Sequence, residues 1–199
     1  MAKSCTFACN SGEIEDIGRM KPTPQPIADD RPILSLLHIR SPLTRVAYSV
    51  PVDSACLLLL AAGRLSVLDA GAAAETARAF EAPRLIWSPA GRALELVAQA
   101  GARGMVMLVS RQTLLRALPA SLLADQMGIV LRQGLSRAFA PGEAIVRLMD
   151  GVAAEKQDGG PGSREALEHY LGLILLHLWR LLGTDIVTRQ RSPQGLAQR

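Results

Sequence analysis

The chain has 199 residues, 49% of them hydrophobic and 20% charged, with a net charge of +4. That balance describes one globular domain with extensions and excludes collagen, disulfide miniproteins and wholly disordered tails. The longest apolar stretch, Ala55 to Ala62, is far short of the roughly 20 residues that span a bilayer, and no apolar leader follows the first residues, so a cytoplasmic protein with no membrane partner is expected.

Residues 1–32 read as a flexible arm. Pro22, Pro24, Pro26 and Pro32 block helix and interior strand, and Asp29-Asp30 adds charge without periodicity. Cys5 and Cys9 lie here as a C-x3-C pair with no further ligands nearby, which makes them thiols rather than a metal site. Residues 33–110 change texture. Ile33–Ile39, Arg45–Val52, Ala55–Leu60, Arg64–Leu68, Arg84–Ser88, Ala93–Ala98 and Gly104–Val109 are short apolar stretches punctuated by glycine and proline, the pattern of an antiparallel sandwich or barrel. Cys56 belongs to its core.

Residues 111–183 switch to helical period. Ser110 is placed to cap a helix carrying Leu114, Leu115 and Leu118, and Met127–Phe139 reads as a second helix. Glu143–Glu155 reads as a third, with Ile145, Leu148, Met149 and Val152 on one face. After a break at Asp158–Gly162, Ser163 is expected to cap the final helix, which Gly183 ends. Its Leu167, Leu171, Ile174, Leu178 and Leu181 repeat at 4,3,4,3 spacing, a coiled-coil seam, while Leu173, Leu175, Leu176, Trp179 and Leu182 make other faces apolar. A helix apolar on most sides is buried on two of them, in its own core or against a partner. Charged residues at Leu171 and Leu178 are therefore expected to split a homodimer. Residues 184–199 read as a linker with a short basic end at Arg189, Arg191 and Arg199.

Catalytic signatures are missing. His38, His169 and His177 form no H-x-H pair, so the two-histidine metal cluster of enzymatic barrels has no basis, and neither a metal nor a cofactor is expected. No nucleophile elbow, phosphate loop or dinucleotide fingerprint occurs. The basic charge is scattered among acids, without the row of cations that marks a nucleic-acid surface. The expectation is a non-enzyme whose barrel mouth takes a small molecule. His38, Tyr48, Trp87 and Arg92 are the candidate ligand-binding residues.

The order of parts, with LIWSPAGRALELVAQAGARGMVMLVS (Leu85–Ser110) running into RQTLLRAL and then PGSREALEHYLGLILLHLWRLLG (Pro161–Gly183), resembles the N-terminal effector-binding and dimerisation part of AraC-type transcription regulators. The likeness runs from Ala55 to Leu182. It implies an α+β fold, a cupin-like antiparallel half-barrel followed by a helical region with a long dimerisation helix. It further implies a homodimer, an unidentified small-molecule effector, and DNA contact only through a helix-turn-helix part that this chain lacks. A small cupin-like enzyme or sugar-modifying barrel is the alternative.

Overall fold

The computed structural model describes residues 25–26, 33–71, 76–118 and 123–191. The expected α+β architecture is present as three layers: two five-stranded sheets face to face, then helices. The first sheet has the order β1 (Gln25–Pro26), β3 (Val46–Val50), β8 (Leu94–Ala98), β5 (Arg64–Asp69), β6 (Arg78–Glu81). The second runs β10 (Leu135–Arg137), β7 (Arg84–Ser88), β4 (Ser54–Ala62), β9 (Ala102–Ser110), β2 (Ser35–Ser41). All pairings are antiparallel except that of β1 with β3.

Each central strand of the second sheet sends alternate residues to two different cores, as the two-residue period requires. Cys56, Leu58 and Leu60 of β4, with Val106 and Leu108 of β9, meet Tyr48, Leu65, Leu94 and Leu96 from the first sheet. Ala55, Leu57, Leu59, Met107 and Val109 point the other way, into the helices. This explains why β4 is an unbroken apolar run: a strand covered on both faces has no polar side to show. Where β4 and β9 shift register between Leu60 and Ala62, Gly104 is obligatory, since a Cβ there would stand 2.2 Å from the Leu59 carbonyl oxygen.

Four helices among the described residues complete the fold. In α1 (Arg111–Ala117), Ser110 accepts the Thr113 N–H at 3.1 Å and caps the helix as its sequence position suggested. The expected helix over Met127–Phe139 is two elements: α2 (Leu123–Val130) and, after Gly134, the strand β10 paired with β7. Leu135 is buried against the helical core while Ser136 is exposed, so edge pairing outweighed the local helical pattern. α3 (Ala144–Asp158) buries Ile145, Met149 and Val152 and ends at Gly159, whose φ of 58° is the left-handed cap.

The last helix, α4 (Ser163–Arg191), differs from expectation at both ends. Ser163 does not cap it: the hydroxyl donates to the Glu155 carbonyl at 3.0 Å, closing the end of α3 instead. Gly183 does not end it either, and the segment expected to be a linker from residue 184 is helical to Arg191. A glycine inside a helix costs about 1 kcal/mol, too little to stop one that is docked by its neighbours. Besides β10, two further strands fall outside the expected set, β6 and the two-residue β1, the latter within the segment expected to be a flexible arm. Pro26 stands in β1 at the edge of its sheet, where a missing N–H is tolerated. Residues 1–24 of that arm, with Cys5 and Cys9, and the end 192–199 lie outside the described residues.

Candidate functional site

The four residues expected to line a ligand pocket are not brought together. Tyr48 is buried between the sheets, and its hydroxyl meets backbone of Arg40. Burial is the larger influence on that phenol and raises its pKa, with the Arg40 backbone contact opposing. Trp87 faces the opposite way, into the helical core, where its Nε1–H donates to the Leu131 carbonyl at 2.9 Å. His38 is exposed on β2, and Arg92 is an exposed loop residue 3.9 Å from Asp69. Two of the four thus sit in separate cores and two on the surface. Buried side chains from both sheets pack together in the space between them, the side of the barrel on which a ligand was expected. Cys56, wholly enclosed there, has its thiol pushed up to about 12 by desolvation, which makes it an inert core residue. Among the described residues, no group of three histidine, cysteine or acidic side chains is arranged to hold a metal.

The expected seam residues pack against this chain's own core. Leu171, Ile174 and Leu178 are fully buried within this chain, and Leu167 and Leu181 pack partly buried against the same core. Their stripe is the one that α4 turns toward α3 and the helix-facing sheet. Leu175 and Leu182 join it. At the contact with α3, the Tyr170 ring lies against Gly151, where an added Cβ would stand 2.6 Å from Cε1. The seam spacing is genuine, but it records an intramolecular interface.

Among the described residues, nothing covers the opposite stripe of α4. His169, Gly172, Leu173 and Leu176 follow one another at i, i+3, i+4 and i+7. Leu173 is 47% exposed, and Leu115 of α1, beside it, is 61% exposed. Together with Ile33 and Ala117 they line an open groove of about 1640 Å³ between α1 and α4, floored by Met127 and Leu171. Polar groups border it. Arg111 and Arg116 project from α1, Arg164 is 3.7 Å from Glu168 one turn on, and His169 Nδ1 lies 2.6 Å from the Glu165 carbonyl oxygen.

An apolar strip with a charged margin is a protein-contact surface in composition. Leu115, Leu173 and Leu176 were not among the residues that the sequence singled out for a site. The signal was present in the all-round apolarity of α4.

No protein-family model and no curated protein matches the chain. Similar solved structures include ToxT from Vibrio cholerae O395, with a TM-score of 0.45 and 9% identity over 75% of this chain and 55% of that one. An unsaturated fatty acid bound wild-type ToxT from Vibrio cholerae gives 0.43 and 10%, over 76% and 54%. A cupin 2 conserved barrel domain protein from Salinispora arenicola gives 0.32 and 15%, over 42% and 66%. The chain spans 55% of the first ToxT chain.

Proposed function

We propose that this chain is the sensing and dimerisation module of an AraC-type transcription regulator, a cytoplasmic protein without catalysis of its own. The observation that carries the reading is the groove between α1 and α4, where Leu115, Leu173 and Leu176 offer apolar surface beside Gly172, whose missing side chain allows a second backbone to approach. The order of parts supports it: a two-sheet sandwich precedes a helical region that ends in a long helix, as the sequence resemblance implies. Two copies join by placing each other's leucines in this groove, and Leu171, Ile174 and Leu178 act behind the interface by holding α4 on its own domain. A small-molecule effector shifts the population of arrangements, and DNA is contacted only through a helix-turn-helix part.

The test is the mass of the protein in solution by light scattering. The wild type is expected to be a dimer. Leu115→Glu with Leu173→Glu is expected to give a folded monomer whose melting temperature falls only by the contribution of the lost dimer contact, because both side chains are substantially exposed in the single chain. A monomeric wild type, or a double variant that stays dimeric, refutes the assignment. A thermal-shift screen of small molecules on the same wild type tests the effector: a hit that changes the dimer fraction supports sensing, and hits that leave it unchanged count against that coupling.

A further inference from the structure

Among the described residues, the helix-facing sheet is covered by helices at one end only. Beyond Leu36 and Met105, which pack against the helical core, the same face continues as His38 and Arg40 on β2 and Arg103 on β9, all exposed. Arg40 and Arg103 stand directly opposite each other in the β2–β9 register, while His38 is opposite Met105 and diagonal to Arg103. Directly opposed residues on one face of an antiparallel pair have Cβ atoms about 5 Å apart, and like charges there are destabilising. Ordinarily a carboxylate on a neighbouring strand would relieve the repulsion. The five strands of this sheet contain no aspartate or glutamate, and neither arginine pairs with a carboxylate among the described residues.

We propose that this basic face receives an extended acidic peptide from a partner protein, lying alongside β2. Three features select that partner. β2 is the terminal strand of its sheet, and among the described residues no strand pairs with its outer side, although the Tyr48 hydroxyl meets the backbone of Arg40 there. His38 and Arg40 are two residues apart on β2, a spacing of about 6.8 Å, which is also the spacing of alternate side chains on any added strand. Carboxylates at alternate positions therefore meet His38 and Arg40 in turn, and Arg103 reaches the second of them beside Arg40. The apolar Leu36 and Met105 at the patch's margin accommodate aliphatic side chains. A DNA backbone is the poorer fit, because duplex binding draws on about six to ten phosphate contacts and this face presents three cationic or titratable groups.

The experiment is fluorescence anisotropy of a labelled peptide TEVEVET, with TKVKVKT as control, titrated with the full chain. The glutamate peptide is expected to bind and the lysine peptide not to, with affinity falling as salt rises. Arg40→Glu with Arg103→Glu is expected to weaken binding about tenfold or more, since it replaces two charge-assisted contacts by repulsion. Arg103→Glu alone is the second variant: it gives Arg40 an opposite charge across the strands, so it raises the melting temperature while weakening the peptide. A glutamate-peptide Kd weaker than about 1 mM, or binding unchanged by the double reversal, overturns the proposal. So does tighter binding of a short DNA duplex through the same two arginines, which would make this a nucleic-acid surface.

Discussion

Leu171 distinguishes the two roles open to α4. It is fully buried in this chain, among residues of α3, the helix-facing sheet and α4 itself. Leu171→Ala removes three carbons, worth about 0.8 kcal/mol each in lost burial, or about 2.4 kcal/mol before any cavity forms. The surrounding core is built from elements pinned on several sides and collapses only in part, which raises the expected cost to about 3–4 kcal/mol. Leu173→Ala, two residues on, begins 47% exposed and is expected to cost about 1 kcal/mol or less. Leucine and alanine have similar helix propensity, so neither value is confused by the helix itself. Urea unfolding followed by circular dichroism, at one fixed protein concentration, measures both, the fixed concentration being needed because any self-association adds to apparent stability. A Leu171→Ala protein as stable as the wild type but monomeric would refute the reasoning, because it would place that stripe between chains.

Three further outcomes follow from the packing. Gly151→Ala drives a methyl into the half-buried Tyr170 ring, and α3 and α4 are expected to separate slightly at a cost of about 1–3 kcal/mol, read as a lower urea midpoint; an unchanged midpoint would mean the ring moves freely. Trp87→Phe leaves the Leu131 carbonyl without its 2.9 Å partner and is expected to lose about 1–3 kcal/mol by the same assay, whereas a neutral result would show that water replaces the indole. Cys56 titrates near 9.0 when exposed and near 12 when folded, so above pH 9 the unfolded chain holds fewer protons than the folded one. Stability is therefore expected to fall as pH rises through that window, by up to about 1.4 kcal/mol per unit from this group, with no contribution below pH 9. Cys56→Ala should flatten that part of the profile, and the Cys56 thiol of the native protein should resist thiol reagents at pH 8.

What the amino-acid order determines by itself is local and periodic. Short apolar stretches broken by glycine mark most of the strands from Ser35 to Ser110, the Ser110 hydroxyl places the start of α1, and Gly159 ends α3, because each of these depends on backbone geometry within a few residues. The unbroken apolar run of β4 and the all-round apolarity of α4 likewise announce two-sided burial. Direction is another matter. α4 carries one apolar stripe through Leu171, Ile174 and Leu178 and another through Gly172, Leu173 and Leu176, and nothing in their spacing says which is inside.

The same holds for the expected pocket: Tyr48 and Trp87 both look like lining residues, yet their strands send them into two different cores. It holds again for β10, where Leu135 stands opposite Trp87, Ser136 opposite Ile86 and Arg137 opposite Leu85. That edge pairing overrode the helical pattern of Met127–Phe139 because backbone hydrogen bonds to β7 and the burial of Leu135 are available only once the distant strand is in place. Local periodicity reports which residues avoid water. Only the packed tertiary structure supplies the second surface against which each of them does so, and so decides which stripe of α4 is core and which stays exposed.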